Sequence, residues 1–175
     1  PMMPLTTAKT TGRPFTITVG DVSGKGLSAA LLMAMMRTTL RGNALRAADG
    51  TPQTILALTN EDLYDDFTDV GRMATVFVGQ YDRSAGALIY ANAGHSPVIF
   101  YPTGGAARLL EADGPALGVL PELLSANERV AFGPGDILVV ASDGFNENRN
   151  DQGEFYGIER FMRQVETLAP LSAQG

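Results

Sequence analysis

One glycine-rich run, Gly20-Asp21-Val22-Ser23-Gly24-Lys25-Gly26, constrains the fold of this chain more than any other. The residues before it alternate, with Phe15, Ile17 and Val19 on one face, which is the period of a half-buried strand. The residues after it predict a helix from Ser28 to about Arg41, with Ser28 as N-cap. Leu31, Leu32, Met33, Met35, Met36 and Leu40 surround the axis of that helix, so it is expected to be buried, its methionines filling core space. A strand must therefore turn sharply into a helix, and Asp21 sits at the turn.

The remaining pattern predicts strands bracketed by helices. Thr51-Pro52 reads as an N-cap followed by proline at the first helical position. Ile55, Leu58, Leu63 and Phe67 carry the helix that follows, and its acidic residues (Glu61, Asp62, Asp65, Asp66) read as a solvated face rather than a metal site. Strands are expected over 73–81, 87–93, 98–101, 107–111, 129–132 and 137–141, with hairpin or turn signals at Asp82-Arg83-Ser84-Ala85-Gly86 and Gly133-Pro134-Gly135-Asp136. A last helix is expected over 158–168. Hairpin connections favour an α+β layered domain over a parallel βαβ sheet.

Composition narrows the function classes. The 175 residues suffice for one domain with a core, and 45% are apolar, which argues against disorder. No apolar run is long enough for a membrane span, and no basic n-region followed by an apolar core is visible as a secretory signal, so the chain, opening at Pro1, is expected to begin inside a longer protein. The chain has no cysteine, which removes thiolate metal sites and cysteine nucleophiles and agrees with a cytoplasmic location. A net charge of −6 with scattered basic residues argues against nucleic-acid binding.

The candidate chemistry rests on carboxylates. Mg²⁺ and Mn²⁺ take oxygen donors. Asp21, the backbone carbonyl of Val22, and Asp143 in Ala141-Ser142-Asp143-Gly144 offer such donors at the ends of two apolar strands. Spacing alone leaves a metal site and ordinary Asp-Gly turns as equal readings. A P-loop is disfavoured: Gly24-Lys25 is followed by Gly26, and Val19 stands where its first glycine belongs. A Ser-His-Asp triad is disfavoured because no Gly-x-Ser-x-Gly elbow exists. His95, the only histidine, reads first as a hydrogen-bonded structural residue, and Lys25 as a solvated loop lysine.

These motifs, in order, resemble a known family. Gly20–Gly26 with Ala29-Ala30-Leu31-Leu32-Met33 comes first, then Ala91-Asn92-Ala93-Gly94-His95-Ser96-Pro97 and Pro115-Ala116-Leu117-Gly118. Ser142-Asp143-Gly144 with Glu147 and Gly153-Glu154-Phe155-Tyr156-Gly157 complete the set. Together they resemble the SpoIIE-type serine/threonine phosphatases of the metal-dependent protein phosphatase (PPM) superfamily. The resemblance implies a four-layer α-β-β-α sandwich of two antiparallel sheets flanked by helices. It implies two Mn²⁺ or Mg²⁺ ions, with Asp21 as bridging ligand, Val22 giving its carbonyl, and Asp143 as a ligand of the more tightly held ion. Asp21 and Asp143 are thus the implied catalytic residues, acting through a metal-bridging hydroxide on phosphoserine or phosphothreonine. The implied substrate is a regulatory phosphoprotein, an anti-sigma-factor antagonist, with an upstream sensor or regulatory domain and a homodimer as further partners.

The chain departs from the family pattern at both ends. The acidic motif expected before the first strand and the Asp-Asp strand expected after the last helix are not in the sequence, and Asn146 replaces a threonine. Residues 1–175 are accordingly expected to be a single phosphatase domain lacking its flanking motifs. The rival expectation is a catalytically incomplete pseudophosphatase that serves as a protein-interaction module.

Overall fold

The structure is a computed structural model that describes residues 14–47, 50–145 and 147–169. Its contacts divide the chain into two compact units, one of residues 1–95 and 112–131, the other of residues 96–111 and 132–175. Among the described residues, two antiparallel sheets and three helices make an α+β fold, as the sequence led us to expect.

In the first unit, β1 (Phe15–Val22), β2 (Ala74–Asp82), β3 (Ala87–Ala93) and β6 (Glu128–Ala131) form an antiparallel sheet in the order β1-β2-β3-β6. The register sets Asp21 opposite Thr75 and Val22 opposite Ala74. Strand alternation then sorts the faces. Val22, Ala74, Val76, Val78, Ala91 and Ala93 share one core with Leu32, Met36 and Leu40 of α1 (Leu27–Arg46) and Ile55, Leu56, Leu63 and Phe67 of α2 (Pro52–Asp69). Asp21, Thr75, Phe77 and Asn92 lie on the other face, one residue out of phase.

The helices correct two expectations. α1 starts at Leu27, so Ser28 lies inside the first turn; the N-cap is Gly26, with φ of 86° and no side-chain cap. The helix also runs five residues past the expected end, and it is not buried all round, since Leu31 is 57% and Met35 39% exposed. One stripe (Ala29, Leu32, Met36, Leu40, Asn43) meets the core. Asn43 belongs there because its amide donates to Thr59 Oγ1 at 3.2 Å and Asp62 Oδ2 at 3.1 Å, which joins α1 to α2. α2 follows its signals: Thr51 Oγ1 accepts from Thr54 N at 3.3 Å ahead of Pro52, a cap worth about 1 kcal/mol.

In the second unit, β5 (Arg108–Leu109), β4 (Val98–Tyr101) and β7 (Ile137–Val140) form a small antiparallel sheet in that order. β5 is shorter than the sequence pattern predicts. α3 (Ile158–Leu168) packs on this sheet through Phe161 and Val165 against Ile99. The Gly133–Asp136 turn is held by Asp136: Oδ2 accepts from Gly133 N at 2.8 Å and Oδ1 from Thr103 N at 2.7 Å. Among the described residues no helix is long and apolar enough to cross a membrane.

Candidate metal-binding turns

Asp21 and Val22 end β1, and hydrogen-bond alternation decides what their backbones can do. Ala74 exchanges both of its backbone bonds with Leu117, at 3.0 and 2.8 Å, on the side of β2 away from β1. The Val22–Ala74 pair is therefore a non-hydrogen-bonded pair, and the Val22 N–H and C=O point away from β2. Among the described residues β1 is the edge strand, so that carbonyl has no ladder partner there. The Asp21 side chain projects from the opposite face to Val22, and no side-chain hydrogen bond engages its carboxylate among the described residues.

The turn after Val22 is braced from a distance in sequence. Ser23 N donates to Met73 O at 2.9 Å, and Ser23 Oγ accepts from Met73 N at 3.0 Å. Arg72 Nη1 donates to Ser23 O at 3.3 Å. Gly24 has φ of 93°, and a Cβ there would lie 1.7 Å from Arg72 Nη1, so only glycine leaves room for the guanidinium. Lys25 is exposed, which agrees with a solvated loop lysine.

His95 is the structural residue the sequence reading favoured. It is 2% exposed; its N–H donates to Asn92 Oδ1 at 2.8 Å, and Asn92 Nδ2 returns a bond to the His95 carbonyl at 2.9 Å. Its Nδ1 lies 3.0 Å from Thr75 Oγ1, and Thr75 faces Asp21 across the strands. The motif at 115–118 is also structural: Asn60 accepts from Gly118 N at 2.9 Å and donates to the carbonyls of Leu120 and Pro121 at 3.0 Å each.

Asp143 belongs to the second unit, in an exposed turn three residues beyond β7. Phe145 N donates to Ser142 O at 3.1 Å and Glu147 N to Asp143 O at 2.8 Å, two backbone bonds that shape the turn. Asn146 lies outside the described residues. Among those residues no three His, Cys, Asp or Glu side chains cluster as a metal site. The donors that remain are all oxygen, two carboxylates and a free carbonyl. Asp21 and Val22 lie in the first unit and Asp143 in the second, and each is by itself a hard oxygen donor of the kind divalent cations take. Sequence reasoning passed over Arg72, Thr75 and Asn60, whose partners lie about 20 to 60 residues away.

Comparison with known proteins places this geometry in a family. The model of the Stage II sporulation protein E (SpoIIE) family matches residues 11–175. Protein IcfG of Synechocystis is 31% identical over 85% of this chain and 27% of its own length. The phosphoserine phosphatase RsbU of Bacillus subtilis is 30% identical over 78% of this chain and 40% of its own. The chain thus spans well under half the length of these relatives. Among solved structures, the SiaA PP2C domain of Pseudomonas aeruginosa superposes with a TM-score of 0.81 at 21% identity, covering 93% of this chain and 65% of that one. RsbX in complex with magnesium gives 0.63 at 15% identity, covering 91% and 76%. With nearly the whole sequence matched and the fold shared, the chain belongs to the Stage II sporulation protein E (SpoIIE) family.

Proposed function

We propose that residues 1–175 form one domain of a longer protein and that this domain is a metal-dependent serine/threonine protein phosphatase. The observation that carries the reading is the end of β1, where Asp21 and the ladder-free carbonyl of Val22 offer adjacent oxygen donors. Asp143, in its exposed turn, is the third proposed ligand. The ions are proposed to be Mn²⁺ or Mg²⁺; magnesium accompanies RsbX, whose fold this chain shares. When bound, two such ions neutralise phosphoryl oxygens and acidify water.

The chain's own part is positioning. Asp21 is held by the β1–β2 register, and Ser23, Arg72 and Met73 fix the turn that presents Val22. No side chain is required as a covalent nucleophile, so the work is geometry and charge placement. The substrate is proposed to be a phosphoprotein, by analogy with the named activity of RsbU, and more narrowly an anti-sigma-factor antagonist. An upstream regulatory domain, a homodimeric parent protein and a cytoplasmic location complete the proposal.

The test is Mn²⁺-dependent phosphatase activity of this chain and of the longer protein, with Asp21→Ala and Asp143→Ala. Loss of several kcal/mol of charge stabilisation predicts a fall in kcat/KM on the order of 10³-fold for either substitution. Activity that ignores both substitutions defeats the assignment. A second reading, a protein-interaction module without catalysis, is favoured by the lack of a three-acid cluster among the described residues. A longer protein that binds no Mn²⁺ and hydrolyses nothing establishes that reading instead.

A further inference from the structure

A cleft of about 400 Å³ opens in the second unit, and its wall begins at Gly144, one residue past Asp143. That volume lies in the range of sites that hold small ligands or single side-chain groups of a partner. One part of the wall is aromatic. Phe145 stacks on Phe161 at 4.5 Å and meets Tyr156 edge-on at 6.3 Å, yet remains 53% exposed. Another part is polar and cationic, with Arg149, Arg160 and Gln164.

The local fold explains why these groups converge. Residues 148–156 make a tight hairpin, in which Tyr156 N donates to Asn148 O at 2.8 Å and Asn150 N to Glu154 O at 3.0 Å. Asn150 Oδ1 accepts from Gln152 N and Glu154 N, at 3.0 and 2.9 Å, which closes the tip. The hairpin leads directly into α3, where Arg160 and Gln164, four residues apart, share a face. Gln164 Oε1 accepts from the Tyr156 hydroxyl and ties that face to the hairpin.

The charges in the cleft are not internally matched. Its one carboxylate, Glu154, accepts from Asn150 Nδ2 at 3.0 Å rather than pairing with an arginine. The Arg149 guanidinium lies 3.9 Å over the Phe155 ring and donates to Gly153 O at 3.1 Å, which leaves other N–H groups for a ligand. Arg160 makes no hydrogen bond or ion pair among the described residues. A chain with 13 basic and 19 acidic residues has therefore placed two arginines and a single engaged carboxylate around an aromatic wall.

We propose that this cleft receives the segment flanking the phosphoserine of a protein substrate, a segment with an acidic side chain next to a bulky apolar one. The acidic group pairs with Arg160 and Arg149, and the apolar group packs on Phe145 and Tyr156. Charge complementarity and the position of the cleft directly after Asp143 argue for this occupant. The proposal rests on the phosphatase reading, and it adds a specificity determinant that Asp21, Val22 and Asp143 do not provide.

The experiment uses two fluorescein-labelled peptides with a central serine and a leucine, one with Asp and Glu flanks and the other with Lys flanks. The unphosphorylated forms are titrated by anisotropy, so turnover does not intervene. Wild type is expected to prefer the acidic peptide by about tenfold, the size of one charge-assisted hydrogen-bonded pair. Arg160→Glu abolishes that preference, and Arg160→Lys retains part of it; Arg160 is exposed, so folding is not at stake. Equal affinity for both peptides, or an unchanged preference in Arg160→Glu, overturns the proposal. Mn²⁺-dependent hydrolysis of p-nitrophenyl phosphate, which has no flanking residues, is measured alongside. Turnover without charge preference defeats the cleft proposal and keeps the phosphatase reading. Charge preference without turnover by the longer protein defeats the phosphatase reading and keeps the cleft as a peptide site.

Discussion

Asp21 and Asp143 stand in similar sequence settings, each at an apolar strand's end beside a glycine, yet the fold supports them differently. Asp21 ends an eight-residue strand paired along its whole length with β2, and Val22 beside it is buried in a core shared by two helices. Asp143 follows a four-residue edge strand and lies in an exposed turn, in a unit whose core is the smaller cluster of Ile99, Phe161 and Val165. One proposed ligand is held by packing and the other by a few backbone bonds. The difference assigns preorganisation to the first unit and adaptability to the second, where the cleft also lies.

Truncating an aromatic residue in each core breaks the comparison most directly. Phe67 is fully buried in the first unit, and a Cβ on Gly118 would come within 2.6 Å of its own Cβ. Phe67→Ala is expected to cost about 5 kcal/mol, because so tight a site relaxes little around the cavity. Phe161 is 7% exposed and stacks on the half-exposed Phe145, which can move inward. Phe161→Ala is expected to cost about 3 kcal/mol, at the low end for such truncations. Urea denaturation of both variants measures the difference; equal costs remove the ground for calling the second unit the softer one.

The two glycines supply a sharper pair. A Cβ at Gly24 meets Arg72 at 1.7 Å in a left-handed backbone, whereas one at Gly144 finds its nearest neighbour, Ser142 Oγ, at 3.8 Å. Gly24→Ala is expected to destabilise by about 2 kcal/mol through backbone strain and displacement of Arg72. Gly144→Ala should stay within about 0.5 kcal/mol. If the turn presents Val22 as proposed, Gly24→Ala also weakens Mn²⁺ binding, read by titration calorimetry, while Gly144→Ala does not. A tolerant Gly24 would show that Arg72 does not brace the turn.

Smaller still is the contrast between two hydroxyls. Thr75 Oγ1 bonds His95 Nδ1 behind Asp21, and Thr75→Val is expected to cost about 1 kcal/mol by thermal unfolding. Ser142 Oγ has no hydrogen bond among the described residues, so Ser142→Ala should shift stability by less than about 0.5 kcal/mol. This pair also marks what the sequence could and could not disclose. β1, the Thr51-Pro52 start of α2 and the hairpin at Asp82–Gly86 were legible because their causes are local: strand period, a cap within three residues, an Asx turn. Asp21 was legible as a candidate donor for the same reason. The partial exposure of α1 was not, because apolar residues on all sides say nothing about which neighbour covers each. Ser28 misled because a favoured cap residue does not act as one when the preceding glycine takes that position. Thr75, Arg72 and Asn60 carry no local signal, since their roles arise only when distant segments meet.

The smallest expected effect concerns acid, and it again separates the two units. Asp82 caps its own hairpin: Oδ1 accepts from Ser84 Oγ at 2.6 Å, Ser84 N at 2.8 Å and Ala85 N at 3.1 Å. The Ser84 hydroxyl, then the Ala85 amide, hold its pKa below the ordinary value. The Gly133 amide, then that of Thr103, do the same for Asp136. A depressed folded-state pKa contributes stability that is present above the unfolded value, about 4 for aspartate, and lost as pH falls through the lower folded value. Both contributions therefore vanish on acidification below about pH 4. The structural consequences differ, because Asp82 joins residues two and three apart whereas Asp136 ties its turn to Thr103, 33 residues away. Acid should fray only the hairpin tip in the first unit but loosen a tertiary connection in the second. Asp136→Asn tests this at neutral pH: an amide keeps one acceptor oxygen and turns an N–H donor toward the other backbone amide, so one of the two bonds is lost. In Asp136→Asn, one of the Thr103 and Gly133 amides should lose protection from hydrogen exchange, measured relative to its intrinsic rate, as it does in wild type in acid. Asp82→Asn should affect only Ser84 and Ala85. Equal spread of the two effects would mean that the Asp136 contact, although it crosses the sequence, holds nothing that its neighbours do not already hold.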